Sequence, residues 1–147
     1  MLSASLPHTS HWKATSKTAR AITGDISLSD TSLRMHGKTY PTRENVPLNA
    51  GELRDAAVLF AIPSGAEAQG EFRRIYIATR TRLVQNNTLC PRDAQWMLTL
   101  TTKAKTLEIA FFSGEAKPDI TPSALDNSTH LCGTFYYEED TAGISSK

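Results

Sequence analysis

The chain has 147 residues, 39% of them apolar, and a net charge of +1 with its four histidines neutral. One domain accounts for that length, and a domain near this size buries roughly 70% of its unfolded surface, enough for a true core. The near-zero charge provides no global field toward nucleic acid or a membrane surface, and no run approaches the roughly 20 apolar residues of a membrane span.

Residues 1–18 are polar and are expected to form a flexible N-terminal segment. Residues 1–7 lack both the charged and the apolar region of a signal peptide, and equally suit the mature end of an exported protein behind an added start methionine. Trp12 is expected on the mouth or edge of the fold, with ligand stacking as the sharper alternative. The regular pattern begins at Ala21. Over residues 21–28, Ile22, Ile26 and Leu28 share one parity and Thr23, Asp25 and Ser27 the other, which predicts a half-buried strand with Gly24 at a bulge or close approach. Leu33 and Met35 alternate with Arg34 and His36, and a third short strand over 38–40 ends at Pro41. Pro41, Pro47, Asn49 and Gly51 predict a loop over 41–55 with at most one helical turn at 51–55. Val58, Phe60 and Ile62 then predict a strand over 56–62, and residues 63–70 an exposed loop.

The clearest amphipathic strand follows, with Ile75, Ile77 and Leu83 on one side and Arg74, Tyr76, Arg80 and Arg82 on the other. A hairpin is predicted next: Trp96, Leu98 and Leu100 on its first strand, residues 103–105 at the turn, then Leu107, Ile109 and Phe111. Residues 113–130 read as a long loop, a kind usually functional or disordered. The run Leu131-Cys132-Gly133-Thr134-Phe135-Tyr136-Tyr137 reads as the closing strand, and residues 139–147 as a flexible tail. About eight or nine short strands and little helix favour an all-β fold, a small antiparallel β-barrel of the lipocalin or inhibitor kind over residues 19–138, because closure removes exposed strand edges. A sandwich is the second choice.

The chemistry-bearing residues are sparse. Cys90 and Cys132 lack CxxC spacing, and with His130 they offer three candidate zinc ligands where a structural site takes four. A disulfide is the plainer reading; it would close a loop worth roughly 4 kcal/mol in the chain-entropy model and would place the protein in the periplasm or outside the cell. No nucleophile elbow is present, and the Ser10-x-x-Lys13 spacing lacks the helix and α/β body that such a motif serves. The acidic run 138–140 is adjacent in sequence, not set across a cleft. The arginine face of Arg74, Arg80 and Arg82 with Tyr76 suits an acidic or cleft-like surface on a protein partner, since guanidinium forks bind carboxylates; a solvated outward face is the alternative. Phe60, Trp96 and Phe111 are candidates to line a barrel cavity for a small apolar ligand, or simply to fill a core. No cofactor, metal ion, nucleic acid or membrane insertion is implied, and the expected activity is binding without catalysis.

Residues 19–26 (ARAITGDI) after a tryptophan, Asn87-Thr88-Leu89-Cys90, Phe112-Ser113-Gly114 and the closing LCGTFYY run resemble a set of small exported proteins of Gram-negative bacteria. The resemblance spans about residues 12–138. It implies export and a Cys90–Cys132 bridge, and carries over no catalytic residue. A second resemblance is to the periplasmic inhibitors of c-type lysozyme, small barrels that insert an S-G-x-x-Y loop into the enzyme. Ser64-Gly65-Ala66-Glu67 has the start of that loop, with Ala68 where the tyrosine would stand. It implies an inhibitory or accessory role for Ser64, Gly65 and Glu67.

Overall fold

The computed structural model describes residues 9–35, 37–63, 67–75, 94–126 and 130–140. Their strands form one closed, antiparallel eight-stranded barrel in simple sequential order. The strands are β1 (Thr9–Ala14), β2 (Ile26–Ser29), β3 (Ser32–Met35), β4 (Lys38–Pro47), β5 (Ala68–Ile75), β6 (Ala94–Thr102), β7 (Thr106–Ser113) and β8 (Leu131–Glu139). Closure runs through β1 and β8, where Trp12 faces Glu139 and Ala14 faces Tyr137. Three short helices accompany the barrel among the described residues: α1 (Lys17–Ile22), α2 (Ala50–Leu59) and α3 (Pro122–Asp126).

The barrel, the β6–β7 hairpin and the closing strand agree with the sequence pattern. Several boundaries do not. Part of the segment expected to be flexible is β1, and its Trp12 is buried in the interior core, with its ring nitrogen donating to the Ser10 hydroxyl at 2.7 Å. The strand expected over 21–28 is split. Ser16 caps α1 by accepting from the Ala19 amide, and Gly24, at φ +64°, ends it, with Thr23 and Gly24 both donating to the Ala19 carbonyl. Gly24 is therefore a helix stop in the left-handed region, where a residue without Cβ pays no steric cost. The loop expected from Pro41 is the continuation of β4, whose pairing with β5 shifts register between Arg43 and Val46.

Where a strand is expected over 56–62, residues 56–59 are instead the end of α2 and residues 60–62 the turn leaving it. Asn49 caps this helix in a full capping box, its side chain accepting from the Glu52 amide while the Glu52 side chain accepts from the Asn49 amide. The box satisfies two otherwise orphaned donors and starts the helix ten residues before Phe60. The chain leaves α2 through Ala61, at φ +56°, with the Ala61 amide donating to Val58 and the Ile62 amide to Ala57. That is a left-handed helix end of the kind usually given to glycine.

Alternation sorts the barrel into two cores. Leu33, Met35, Met97, Leu107, Ile109, Phe111, Phe135 and Tyr137 point inward and pack in the lumen with Trp12, Ile26 and Leu28. Phe111 and Phe135 meet edge to face at 5.4 Å between centroids. On the outer face of β5–β8, Phe72, Trp96, Leu98, Leu100, Ala110 and Phe112 form a second core with Ala56 and Phe60 of the α2 segment and Ile120 of the loop after β7. Fully burying a phenylalanine contributes about 2 kcal/mol, so Phe60, Phe72 and Phe112 together fasten the outer layer firmly. Trp96 pins that loop by donating to the Glu115 carbonyl at 3.0 Å, and Lys117 ties it to α2 through Glu52 at 2.6 Å.

One end of the lumen is polar. Arg73 points inward opposite Met97, bonds Glu71 at 2.6 Å, and donates to the Ser29 carbonyl and to the buried Thr42 hydroxyl. It links β5 to β2 and β4 across the barrel and stands on the face opposite Arg74.

Gly70 lies where β5 crosses β6, and a Cβ there would sit 2.1 Å from the Thr99 carbonyl oxygen. Backbone cannot yield as a flexible side chain can, so Gly70→Ala should cost about 2 kcal/mol or more and lower the melting temperature in thermal denaturation. An unchanged melting temperature would show that the β5–β6 contact is looser than this.

Candidate functional site

The row Leu100, Glu108, Tyr136 runs across the outer face of β6, β7 and β8. Leu100 is buried in the outer core, but Glu108 beside it is a carboxylic acid, 3% exposed. Thr106 is its hydrogen-bond partner, and its Oε1 has none among the described residues. The described ion pairs, Arg73–Glu71, Lys103–Glu67, Lys105–Glu139 and Lys117–Glu52, bring no cation to it. Burial therefore dominates and raises the Glu108 pKa from 4.5 to about 7, with the Thr106 bond opposing.

Glu108 lines an open pocket of about 490 Å³ between the barrel and the segment leaving α2. Phe60, Ile62, Pro63, Ala104 and Tyr136 supply its apolar walls, and Glu67 and Lys103 stand with it. The Tyr136 hydroxyl donates to the Phe60 carbonyl at 3.1 Å, and the two rings meet edge to face at 6.2 Å. Burial first, and then the Glu108 charge, push the Tyr136 pKa upward. Lys103 and Glu67 pair at 3.5 Å in open solvent, where such a contact is worth little. The volume lies within the usual range for ligand pockets, and an apolar lining with a few convergent polar groups is their usual chemistry.

A second cavity of about 380 Å³ opens under the loop after β7, lined by residues 112–119 with Ala124 and His130. Ser113 and His130 clasp the base of this loop: the Ser113 amide donates to the His130 carbonyl at 2.9 Å, and the Ser113 hydroxyl meets His130 Nδ1 at 3.2 Å. The expected long loop thus contains α3 and is stitched at both ends.

The residues singled out in the sequence fall in different places. Phe60 and Glu67 come together at the Glu108 pocket. Arg74 lies on the same outward face with its guanidinium 5.7 Å from the Trp96 ring centre, but six residues along β5 from Ala68, roughly 20 Å at 3.3 Å per residue. Arg43 is its register partner on β4. Phe60, Trp96 and Phe111 do not line one cavity: Phe111 is inside the barrel, whereas Phe60 and Trp96 belong to the outer core. Strand alternation sends even and odd residues of β6 and β7 to opposite sides, and the shared aromatic character of the three concealed this. Ser64, Gly65, Tyr76, Ile77, Arg80, Arg82, Leu83 and Cys90 lie outside the described residues. Cys132 is described; it is partly buried against the interior core, with its sulfur 3.3 Å from the His130 carbonyl oxygen. Among the described residues no three histidine, cysteine or acidic side chains gather as a metal site, and no helix is long and apolar enough to cross a membrane.

Glu108 escaped the sequence reading. The available signal was a single acid in an otherwise apolar β7, and it became informative only once both faces of that strand proved buried. No protein-family model, no curated protein and no solved structure matches this chain.

The pH dependence of stability follows with a definite sign. The folded pKa of Glu108 lies above 4.5, so between pH 4.5 and about 7 the folded state holds more protons than the unfolded one. Its contribution is full below that window and is lost as pH rises through it, by up to about 3 kcal/mol. Glu108→Gln should flatten this fall and leave the variant about 1–3 kcal/mol more stable than the parent at pH 8, with near equality at pH 4.5. Urea denaturation across that range checks it, and a parent protein without the fall would contradict the burial argument.

Proposed function

We propose that this is a non-catalytic binding protein that engages a protein partner at the barrel rim formed by the segment leaving α2, the start of β5 and the β6–β7 turn. The observation that carries this reading is the open apolar pocket with a buried, half-satisfied carboxyl at its wall, on a barrel whose described inward side chains pack as an apolar core. Burying this acid costs free energy that the Thr106 bond offsets only in part, and binding sites are where such costs are tolerated. An inhibitory or accessory role suits a preformed rim of this kind, since a rigid scaffold limits the ordering cost of association. Arg74 beside Arg43 suits an acidic patch elsewhere on the same partner.

The export reading belongs to the same proposal: a periplasmic or extracellular protein with a Cys90–Cys132 bridge, supported by the resemblance of the closing strand. A second reading is favoured by the pocket's volume, which suits a small apolar ligand; that ligand would sit in the outer pocket, because side chains occupy the lumen.

A photo-crosslinking residue placed at the exposed Ala104, on the pocket wall, separates these readings in the source cell. The expected result is a discrete protein adduct at position 104 that is missing from a control at Thr31, in the β2–β3 turn. An added mass of a few hundred daltons would transfer support to the small ligand. No adduct, or the same adducts at both positions, would overturn binding at this rim.

A further inference from the structure

We propose that the pocket takes an alkylammonium group, the cation and apolar stem of a lysine side chain presented by the partner, seated against Glu108 with Phe60 and Tyr136 beside it. The proposal rests on the binding reading above and adds the chemistry of the group that enters.

Three observations select this chemistry. The first is charge. Glu108 and Glu67 line the pocket against one cation, Lys103, which pairs with Glu67 at the mouth. Among the described residues the inner carboxyl is thus the one no cation compensates, and its Oε1 has no partner there. Nine-tenths or more buried, it gains more from an incoming cation than a surface acid would, because the low dielectric that penalises it alone strengthens the pair. The second is the wall. Phe60 and Tyr136 both line the pocket, and aromatic rings beside a carboxylate favour ammonium groups through the ring quadrupole. The third is shape. Ile62, Pro63 and Ala104 offer an apolar passage suited to the methylene stem of a lysine, which buries readily while its head seeks the acid. A carboxylate ligand would meet Glu108 with like charge, and a purely apolar group would leave Oε1 unsatisfied.

The groups facing Glu108 make the coupling to pH simple. On its own strand Thr106 bonds it; β6 offers Leu100 and Thr102, the segment after α2 offers Phe60 and Ile62, and none of these titrates. From β8 come Tyr136, whose pKa is raised, and the exposed Glu138 opposite Thr106; from the rim come Glu67 and Lys103. Among these described groups Glu108 is the one that burial moves toward neutrality. The empty site is half protonated at about pH 7, and the cation binds the ionised form. Affinity should rise about tenfold from pH 6 to pH 8, following the ionised fraction.

The test uses n-butylammonium, n-butanol and butyrate as probes, followed by amide chemical shifts of the full chain. The expected result is millimolar binding of n-butylammonium that shifts the amides around Glu108, Tyr136 and Ala104, tightens about tenfold between pH 6 and 8, and weakens at least tenfold in Glu108→Gln. Binding of n-butanol should be weaker and indifferent to the substitution. Equal binding of n-butanol, or preferred binding of butyrate, would overturn the cation and leave the pocket standing. Absence of shifts at the pocket with all three probes would overturn both. Nα-acetyl-lysine methylamide separates the sources: binding tighter than n-butylammonium supports a partner's side chain, and weaker binding would overturn that source in favour of a free amine.

Discussion

The structure depends on two strands that are buried on both faces. Every residue from Trp96 to Leu100 and from Leu107 to Ser113 is buried. A strand alternates its side chains, so this burial requires material on both sides. The inner side is met by closing the barrel, and the outer side by wrapping α2 and the loop after β7 over it. Neither is optional: without closure Leu107, Ile109 and Phe111 face water, and without the wrap Trp96, Leu98 and Phe112 do.

The wrap accounts for most of the irregular features. The capping box at Asn49 starts α2 where its apolar side reaches the outer core, and Glu52 also holds Lys117 from the covering loop. Ala61 turns the chain sharply off the helix end. That turn brings Ile62 and Pro63 beside the Leu100–Glu108–Tyr136 row without covering it completely. The pocket is thus the place where the outer layer stops short, and Glu108 lies at that boundary, too buried to be solvated and too near the rim to be replaced by packing.

The division of the lumen follows the same economy. Most of the interior is apolar, but where β2, β4 and β5 meet, Arg73 distributes its donors among Glu71, Ser29 and Thr42. A buried guanidinium is tolerable only when its donors are taken, and here they also join strands that are not all neighbours. The two adjacent arginines of β5 therefore have unlike roles: Arg73 ties the lumen together, and Arg74 lies outside over Trp96.

What the sequence determined by itself was the class of object. Period-two alternation in β3, β6, β7 and β8, with turn residues between them, identified an antiparallel barrel, because that alternation is a local consequence of strand geometry. The Asn49-x-x-Glu52 box is also present in the sequence, yet the prolines and Gly51 around it predict a loop with at most one helical turn over 51–55, and Val58, Phe60 and Ile62 predict a strand over 56–62, where α2 in fact runs from Ala50 to Leu59. Tertiary structure alone decided which side of the barrel each aromatic occupies. Phe60, Trp96 and Phe111 have similar local signals, and their separation into two cores comes from register and from the path of the cover. It likewise decided the meaning of Glu108. One acid in a strand pattern is ordinarily a solvated residue; it became a buried, unsatisfied group beside a pocket because a distant segment folded over its neighbours, and burial by a distant segment has no signature at the residue it buries.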